Sequence, residues 1–121
     1  MSRIMLALKK VILSADIVES LIFDEVDAGI GGKTADVVGR KLKSLSSERQ
    51  VLVITHLPQI AALSDNHFTV QKQSINSRTT TMVKNLKRDE KIQEVARMLA
   101  GEQVTEISLK HAEEMVSSAD K

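Results

Sequence analysis

The chain has 121 residues, of which 42% are hydrophobic and 27% charged, and its formal net charge is +1. This length suits one domain over residues 1–121, and the balanced charge excludes a general electrostatic attraction to nucleic acids or membranes. The absence of cysteine excludes disulfides, thiolate metal sites and cysteine nucleophiles, and it is compatible with a reducing cytoplasm. No apolar run reaches the roughly 20 residues of a membrane-spanning helix, so we expect no membrane partner. Local basic groups at 40–43 and 84–91 fit solvated surfaces.

The first half of the chain has the pattern of a βαβ unit. Apolar residues at helical spacing predict a helix over 4–15. A continuously apolar run predicts a strand over 20–23, buried on both faces of a parallel sheet, and a Gly-rich loop over 27–32 follows it. A helix over 34–45 and a second apolar strand over 50–55 come next. Strand, helix and strand in this order predict a right-handed parallel unit.

The second half predicts a hairpin and mainly helices. The predicted elements are a short helix over 58–63, a hairpin of strands 67–72 and 79–84, and helices over 89–100 and 105–118. Pro58 fits the first turn of the short helix, Gly101 fits the end of the next, and Thr105 fits an N-cap. We therefore expect an α/β fold with parallel core strands, flanking helices and a β-hairpin that extends or flanks the sheet.

Two adjacent carboxylates follow the first predicted strand. Asp24 and Glu25 come directly after the apolar run that ends at Phe23. In an open α/β sheet the ligand crevice lies beyond the carboxyl ends of the strands. An aspartate there can hold Mg²⁺ beside nucleotide phosphates, and a neighbouring glutamate can accept a proton from an attacking water. Alone, this motif leaves a nucleotide site and an ordinary polar loop as equal alternatives.

A histidine follows the second predicted strand. Thr55 and His56 end this strand much as Asp24 and Glu25 end the first. An imidazole at this point could reach a γ-phosphate or the attacking water, and its pairing with the acids favours a functional role. His67 and His111 are expected to be structural or solvated, because no spacing among the histidines and acids defines a zinc site.

These motifs resemble those of ABC-type and SMC-like ATPases, which have the P-loop NTPase fold. Residues 21–25 resemble the Walker B strand, residues 27–29 resemble the D-loop, and His56 resembles the switch histidine. The resemblance implies that the chain is a partial head, equivalent to the carboxyl-terminal lobe of such an ATPase.

Longer strings are similar to one family within this group, the RecN proteins. They are SRIMLALK at 2–9, FDEVDAGIGG at 23–32, THLPQIAA at 55–62 and ARMLAG at 96–101. The resemblance covers nearly the whole chain. It implies a role in recombinational repair of DNA double-strand breaks, in the bacterial cytoplasm and in association with the nucleoid.

The resemblance also implies roles for individual residues. Asp24 would bind the nucleotide through Mg²⁺, Glu25 would be the catalytic base, Asp27 would contact the partner head, and His56 would sense the γ-phosphate. The implied cofactors are ATP and Mg²⁺. The implied partners are an amino-terminal head lobe, a second head in an ATP-sandwiched homodimer, and DNA.

The sequence departs from the family pattern at its start. The chain opens Met1-Ser2-Arg3, whereas a signature motif of the Leu-Ser-Gly-Gly-Glu type is expected to come immediately before Leu-Ser-Arg. The Walker A loop, the Q-loop and the coiled coil are also missing. Without backbone amides and a lysine to cradle the phosphates, nucleotide affinity is expected to be poor. We therefore expect little or no ATPase activity from this chain alone, and ATP and Mg²⁺ binding only with the amino-terminal lobe.

One alternative is a small complete P-loop NTPase that uses residues 29–34. The stretch 27–34 nearly matches the pattern G-x-x-x-x-G-K-[ST], but Asp27 stands in place of the first glycine. Carboxylates at Asp24, Glu25 and Asp27 would repel the phosphates that such a loop must attract. This repulsion favours an ordinary helix start at residues 33–34.

A second alternative is a non-catalytic interaction module. Its helices would pack on a partner lobe, and an apolar surface would be uncovered without that partner. Such a chain is expected to self-associate.

Overall fold

A computed structural model of the chain describes residues 19–24 and 28–120. The chain divides into two units, Met1–Leu63 and Ser64–Lys121, each held together mainly by its own contacts. The helix predicted over 4–15 lies outside the described residues, and a single domain over 1–121 stays a prediction. Within the described part, no helix has the length and apolar character needed to cross a membrane.

The first unit contains the predicted βαβ arrangement. Strands β1 (Ser20–Asp24) and β2 (Gln50–Ile54) pair in parallel, with Ser20 opposite Gln50 and Asp24 opposite Ile54. Helix α1 (Gly32–Leu45) connects them, and the short helix α2 (Pro58–Ala61) follows β2. Pro58 occupies the first turn of α2, as predicted, because its missing N–H is not needed there.

One face of the strand pair forms the core of this unit with the helices. The buried core residues are Phe23, Val38, Leu42, Leu45 and Ile60. The Phe23 side chain is 1% exposed, and burial of a phenylalanine contributes about 1.5–3 kcal/mol.

The other face of the strand pair is uncovered. The side chains of Ile22, Leu52 and Ile54 are 68%, 51% and 55% exposed. The prediction that the first strand is buried on both faces is therefore wrong, and the second strand is likewise open. Successive side chains of a strand point to opposite faces, and the core lies on one face only. We call Ile22, Leu52 and Ile54 the open face.

Helix α1 approaches α2 closely at Gly39. A Cβ atom built on Gly39 would lie 2.7 Å from Leu63 Cδ1 and 3.4 Å from the backbone oxygen of Gln59. Gly39 is buried, so the two segments meet at a position that has no side chain.

A long hairpin opens the second unit. Strands β3 (His67–Ile75) and β4 (Arg78–Leu86) are antiparallel, and they form a sheet separate from β1 and β2. The hairpin therefore does not extend the parallel pair. The strands are longer than predicted because Asn76 and Ser77 both adopt positive φ, 49° and 62°, which permits a two-residue turn.

Two helices complete the second unit. They are α3 (Arg88–Ala100) and α4 (Glu106–Ala119), and their buried apolar residues are Val95, Ala96, Ala112 and Val116. Gly101 ends α3 with a positive φ of 77°, as its place in the sequence predicted. The predicted N-cap is also confirmed: the Ser108 N–H donates to Thr105 Oγ1 (3.1 Å).

Candidate functional site

The carboxyl ends of β1 and β2 lie at one edge of the parallel pair. Asp24 is the last residue of β1 and lies opposite Ile54, the last residue of β2. Because parallel strands end at the same edge, Asp24 and the segment 55–57 leave the sheet side by side. Asp24 and His56 are both exposed. The structure therefore brings two of the four predicted site residues to one edge, while Glu25 and Asp27 lie outside the described residues.

The direction of Asp24 follows from the burial of its neighbour. Phe23 points into the core, so the alternation of the strand places Asp24 on the same face as Ile22. Ser20, two residues before Ile22, lies on the same face, and its hydroxyl donates to Gln50 Oε1 (2.9 Å). Asp24 is thus an exposed carboxylate at the rim of the open face.

His56 lies in the short turn between strand β2 and helix α2, and both flanking residues are ordered by hydrogen bonding or helix capping. The Leu57 N–H donates to Thr55 Oγ1 (3.0 Å), and Leu57 is the extended N-cap of α2. Pro58 and Ile60 are buried and anchor that helix. His56 therefore occupies a short turn between an ordered strand and an anchored helix, which restricts where its imidazole can reach.

Lys33 of the alternative phosphate loop lies in the first turn of α1. The helix begins at Gly32, with Gly31 as its N-cap and no side-chain hydrogen bond at the cap. Gly29 and Gly32 have positive φ, 73° and 55°. Both the P-loop alternative and an ordinary helix start place Lys33 at this position.

Gln59 is a polar residue that the sequence analysis did not single out. Its Oε1 atom is buried and accepts no hydrogen bond within the described part of the chain. A buried acceptor without a donor costs about 1–3 kcal/mol, so this oxygen is a candidate for contact with a donor from another segment. A glutamine in a helix carries no chemical signature in the sequence. Its only signal was its place in the string that also contains His56.

Asp24 is the predicted metal ligand, and its side chain is exposed. Among residues 19–24 and 28–120, no three His, Cys, Asp or Glu side chains form a group that could hold a metal ion. A single exposed carboxylate fits Mg²⁺ that is bound mainly by nucleotide phosphates, because protein sites often supply only one or two carboxylates to that ion.

Comparison with known proteins identifies similar sequences. No family model matches the chain. DNA repair protein RecN of Bacillus subtilis (strain 168) is 46% identical over 121 residues, which are 100% of this chain and 21% of that protein. RecN of Streptomyces coelicolor is 45% identical over 119 residues, 98% of this chain and 21% of that protein. RecN of Treponema pallidum is 49% identical over 116 residues, 96% of this chain and 20% of that protein.

The chain is homologous to the C-terminal part of RecN. It spans about a fifth of the length of these relatives. The RecN resemblance of the motifs is therefore confirmed over nearly the whole sequence.

The fold is similar to that of a solved SMC ATPase chain. A solved chain from a study of ATP-driven dimerization and DNA-stimulated activation of SMC ATPases superposes with a TM-score of 0.64 at 19% identity. The match covers 85% of this chain and 65% of that chain. The predicted α/β head fold is thereby confirmed.

Proposed function

We propose that this chain is the C-terminal lobe of an SMC-like ATPase head that acts in the repair of DNA double-strand breaks. The main observation behind this proposal is the parallel register of β1 and β2, which brings Asp24 and the turn with His56 to the same edge of the sheet. The names of its relatives support the repair role, because those proteins are DNA repair proteins. The activity belongs to the assembled head, which acts in the bacterial cytoplasm on the nucleoid.

Each site residue has a proposed role in the assembled head. Asp24 holds Mg²⁺ beside the phosphates of ATP, and Glu25 accepts a proton from the attacking water. His56 donates a hydrogen bond to the γ-phosphate, and Asp27 contacts the second head of an ATP-sandwiched homodimer. Bound Mg²⁺ would supply charge neutralisation at the phosphates.

The open face supports an incomplete ATPase head. Parallel sheets occur almost only with both faces covered, yet Ile22, Leu52 and Ile54 are all more than half exposed. The relatives are about five times longer than this chain, so they contain segments that could cover the face. We propose that the amino-terminal lobe covers it and supplies the phosphate-binding loop.

The test supplies that lobe in trans. The chain is mixed with a separately produced RecN amino-terminal lobe, and magnesium-dependent ATP hydrolysis is measured against the chain alone. We expect turnover only in the mixture. Glu25→Gln in the mixture should lower kcat by about 100-fold or more, because general base catalysis is worth about 10²–10⁴, and should leave ATP binding intact. Glu48→Gln, which removes an exposed carboxylate in the turn after α1, should retain the wild-type rate.

The two alternatives give different results in the same assay. The small P-loop NTPase predicts tight ATP binding by the chain alone, abolished by Lys33→Ala. The non-catalytic module predicts that the two lobes associate and that the mixture shows no turnover. Either result would contradict the proposed function.

A further inference from the structure

Charge is distributed very unevenly along this nearly neutral chain. Residues 66–88 contain five of the 17 basic residues and none of the 16 acidic residues. The rest of the chain therefore carries four more acidic than basic residues. The positive charge of the chain is concentrated in the β3–β4 hairpin and the residues directly after it.

Most residues of the hairpin are exposed. In β3 and β4 only His67, Thr69 and Leu86, near the base, are partly buried, and all the other residues are exposed. Nine residues of strand extend about 30 Å. We call the hairpin over residues 67–86 the basic ribbon.

The two cations nearest the tip of the basic ribbon are not neutralised. Among the described residues, no acidic side chain pairs with Lys72 or Arg78. Lys84, closer to the base, instead forms an ion pair with Glu90. The outer half of the basic ribbon thus carries its positive charge unpaired.

Lys72 and Arg78 lie on opposite faces of the basic ribbon. Lys72 is opposite Thr81 in the register, and Arg78 is opposite Ile75. Residues 72 and 75 are three apart on one strand, so they point to opposite faces. Each face of the ribbon therefore carries one unpaired cation for contact with a phosphate.

The cations have one apolar cross-strand neighbour, Ile75 opposite Arg78, and lie mostly among neutral hydrogen-bonding side chains. The neutral side chains are Gln71, Gln73, Ser74, Asn76, Ser77, Thr79, Thr80 and Thr81. Hydroxyl and amide side chains, together with Lys and Arg, supply most protein contacts to DNA phosphates. The major groove of B-form DNA admits a two-stranded β-ribbon.

We propose that the basic ribbon binds the phosphate backbones of duplex DNA, with its outer half in the major groove. The proposal shares the DNA repair role of the proposed function but does not depend on the ATP site. The two unpaired cations lie in the outer half of the ribbon, on opposite faces, mostly among uncharged hydrogen-bonding side chains. This combination matches the phosphate backbones of a duplex, to which such side chains supply most contacts.

The test measures binding of the 121-residue chain to a labelled duplex of about 20 base pairs, roughly twice the span of the ribbon. Fluorescence anisotropy gives Kd between about 0.05 and 0.2 M salt. We expect the double variant Lys72→Gln/Arg78→Gln to bind about tenfold more weakly or worse at about 0.1 M salt. The slope of log K against log salt concentration should decrease in magnitude by about 2, because each phosphate contact contributes about 0.9.

The matched control removes two exposed lysines outside the ribbon, in Lys41→Gln/Lys110→Gln. It makes the same change in net charge and should alter Kd by less than about twofold. Circular dichroism should show the same fold for both variants.

The proposal is overturned if the chain does not bind the duplex, if the control loses as much affinity, or if poly-glutamate competes as well as unlabelled duplex. The last result would assign the ribbon to an acidic protein partner. The ATPase assay with two lobes is independent of all these outcomes.

Discussion

His67, the first residue of β3, is a partly buried histidine beside charged residues of α3. Burial of the ring lowers the pKa of His67 below 6.5, the positive charge of Lys91 lowers it further, and Glu94 acts in the opposite direction. Within the described residues, the buried Nδ1 atom has no hydrogen-bond partner. The folded chain therefore binds a proton at His67 less readily than the unfolded chain does.

This difference makes stability depend on pH. Because the folded pKa lies below the unfolded one, the contribution of His67 is fully present above about pH 6.5 and is lost as the pH falls toward the folded pKa. The free energy of unfolding in urea should decrease from about pH 7 to about pH 5, and the decrease should be smaller in His67→Gln. In an NMR titration the midpoint of His67 should lie below 6.5 and rise in Lys91→Gln. A midpoint above 6.5 would contradict the assigned environment.

Helix α1 can approach Leu63, just after α2, because position 39 has no side chain. Alanine in a helix interior is about 0.5–1 kcal/mol more favourable than glycine, but a methyl group at position 39 would displace Leu63 Cδ1. We expect Gly39→Ala to give less than this gain, or a loss, in the wild-type background. In the Leu63→Ala background it should raise the free energy of unfolding by about 0.5–1 kcal/mol. Urea denaturation of the four proteins in this double-mutant cycle measures the difference. Equal effects in both backgrounds would show that Leu63 does not limit the space at position 39.

Local signals predicted most elements correctly. Pro58, Gly101 and Thr105 mark helix ends through their own backbone or hydroxyl chemistry, and each lies where that chemistry predicts. The hairpin limits were less accurate because the stretch that contains Asn76 and Ser77 also suits a longer loop. Positive φ at both residues is a conformational choice that composition alone does not specify.

Burial and the site were only partly predictable. An apolar run such as 20–23 predicts a strand, but whether Ile22 is covered depends on what packs over it. The edge that brings Asp24 near the His56 turn followed from parallel topology, so that part of the site could be predicted. The buried oxygen of Gln59 could not, because its environment arises from packing rather than from residue type.

At the scale of the whole molecule, the open face is expected to drive self-association. Ile22, Leu52 and Ile54 form adjacent apolar surface on two paired strands, and such surface tends to be buried against another chain. Sedimentation velocity should show dimers or larger species that increase with protein concentration. Leu52→Thr/Ile54→Thr keeps residues that favour strands and should shift the chain toward monomer.

The control for this experiment is a substitution of an exposed apolar residue on a helix. Val37 is also exposed but lies on α1, so Val37→Ala should leave the association unchanged. A wild-type chain that sediments as a compact monomer at every concentration would show that the open face does not act in this way.

The parallel register also affects the order in which the chain folds. Ser20 and Gln50 are 30 residues apart, whereas the hairpin closes at Ile75 and Arg78, either side of a two-residue turn. Contacts between distant residues form more slowly, because the entropy of closing the loop is lost before the contact is gained. During synthesis, β1 leaves the ribosome well before β2, so the edge of β1 that pairs with β2 stays exposed until residues 50–54 have been made. The two strands of the hairpin are adjacent in the sequence, so they can pair soon after they are made. Among these strands, β1 is therefore the one most able to pair wrongly before its partner is available.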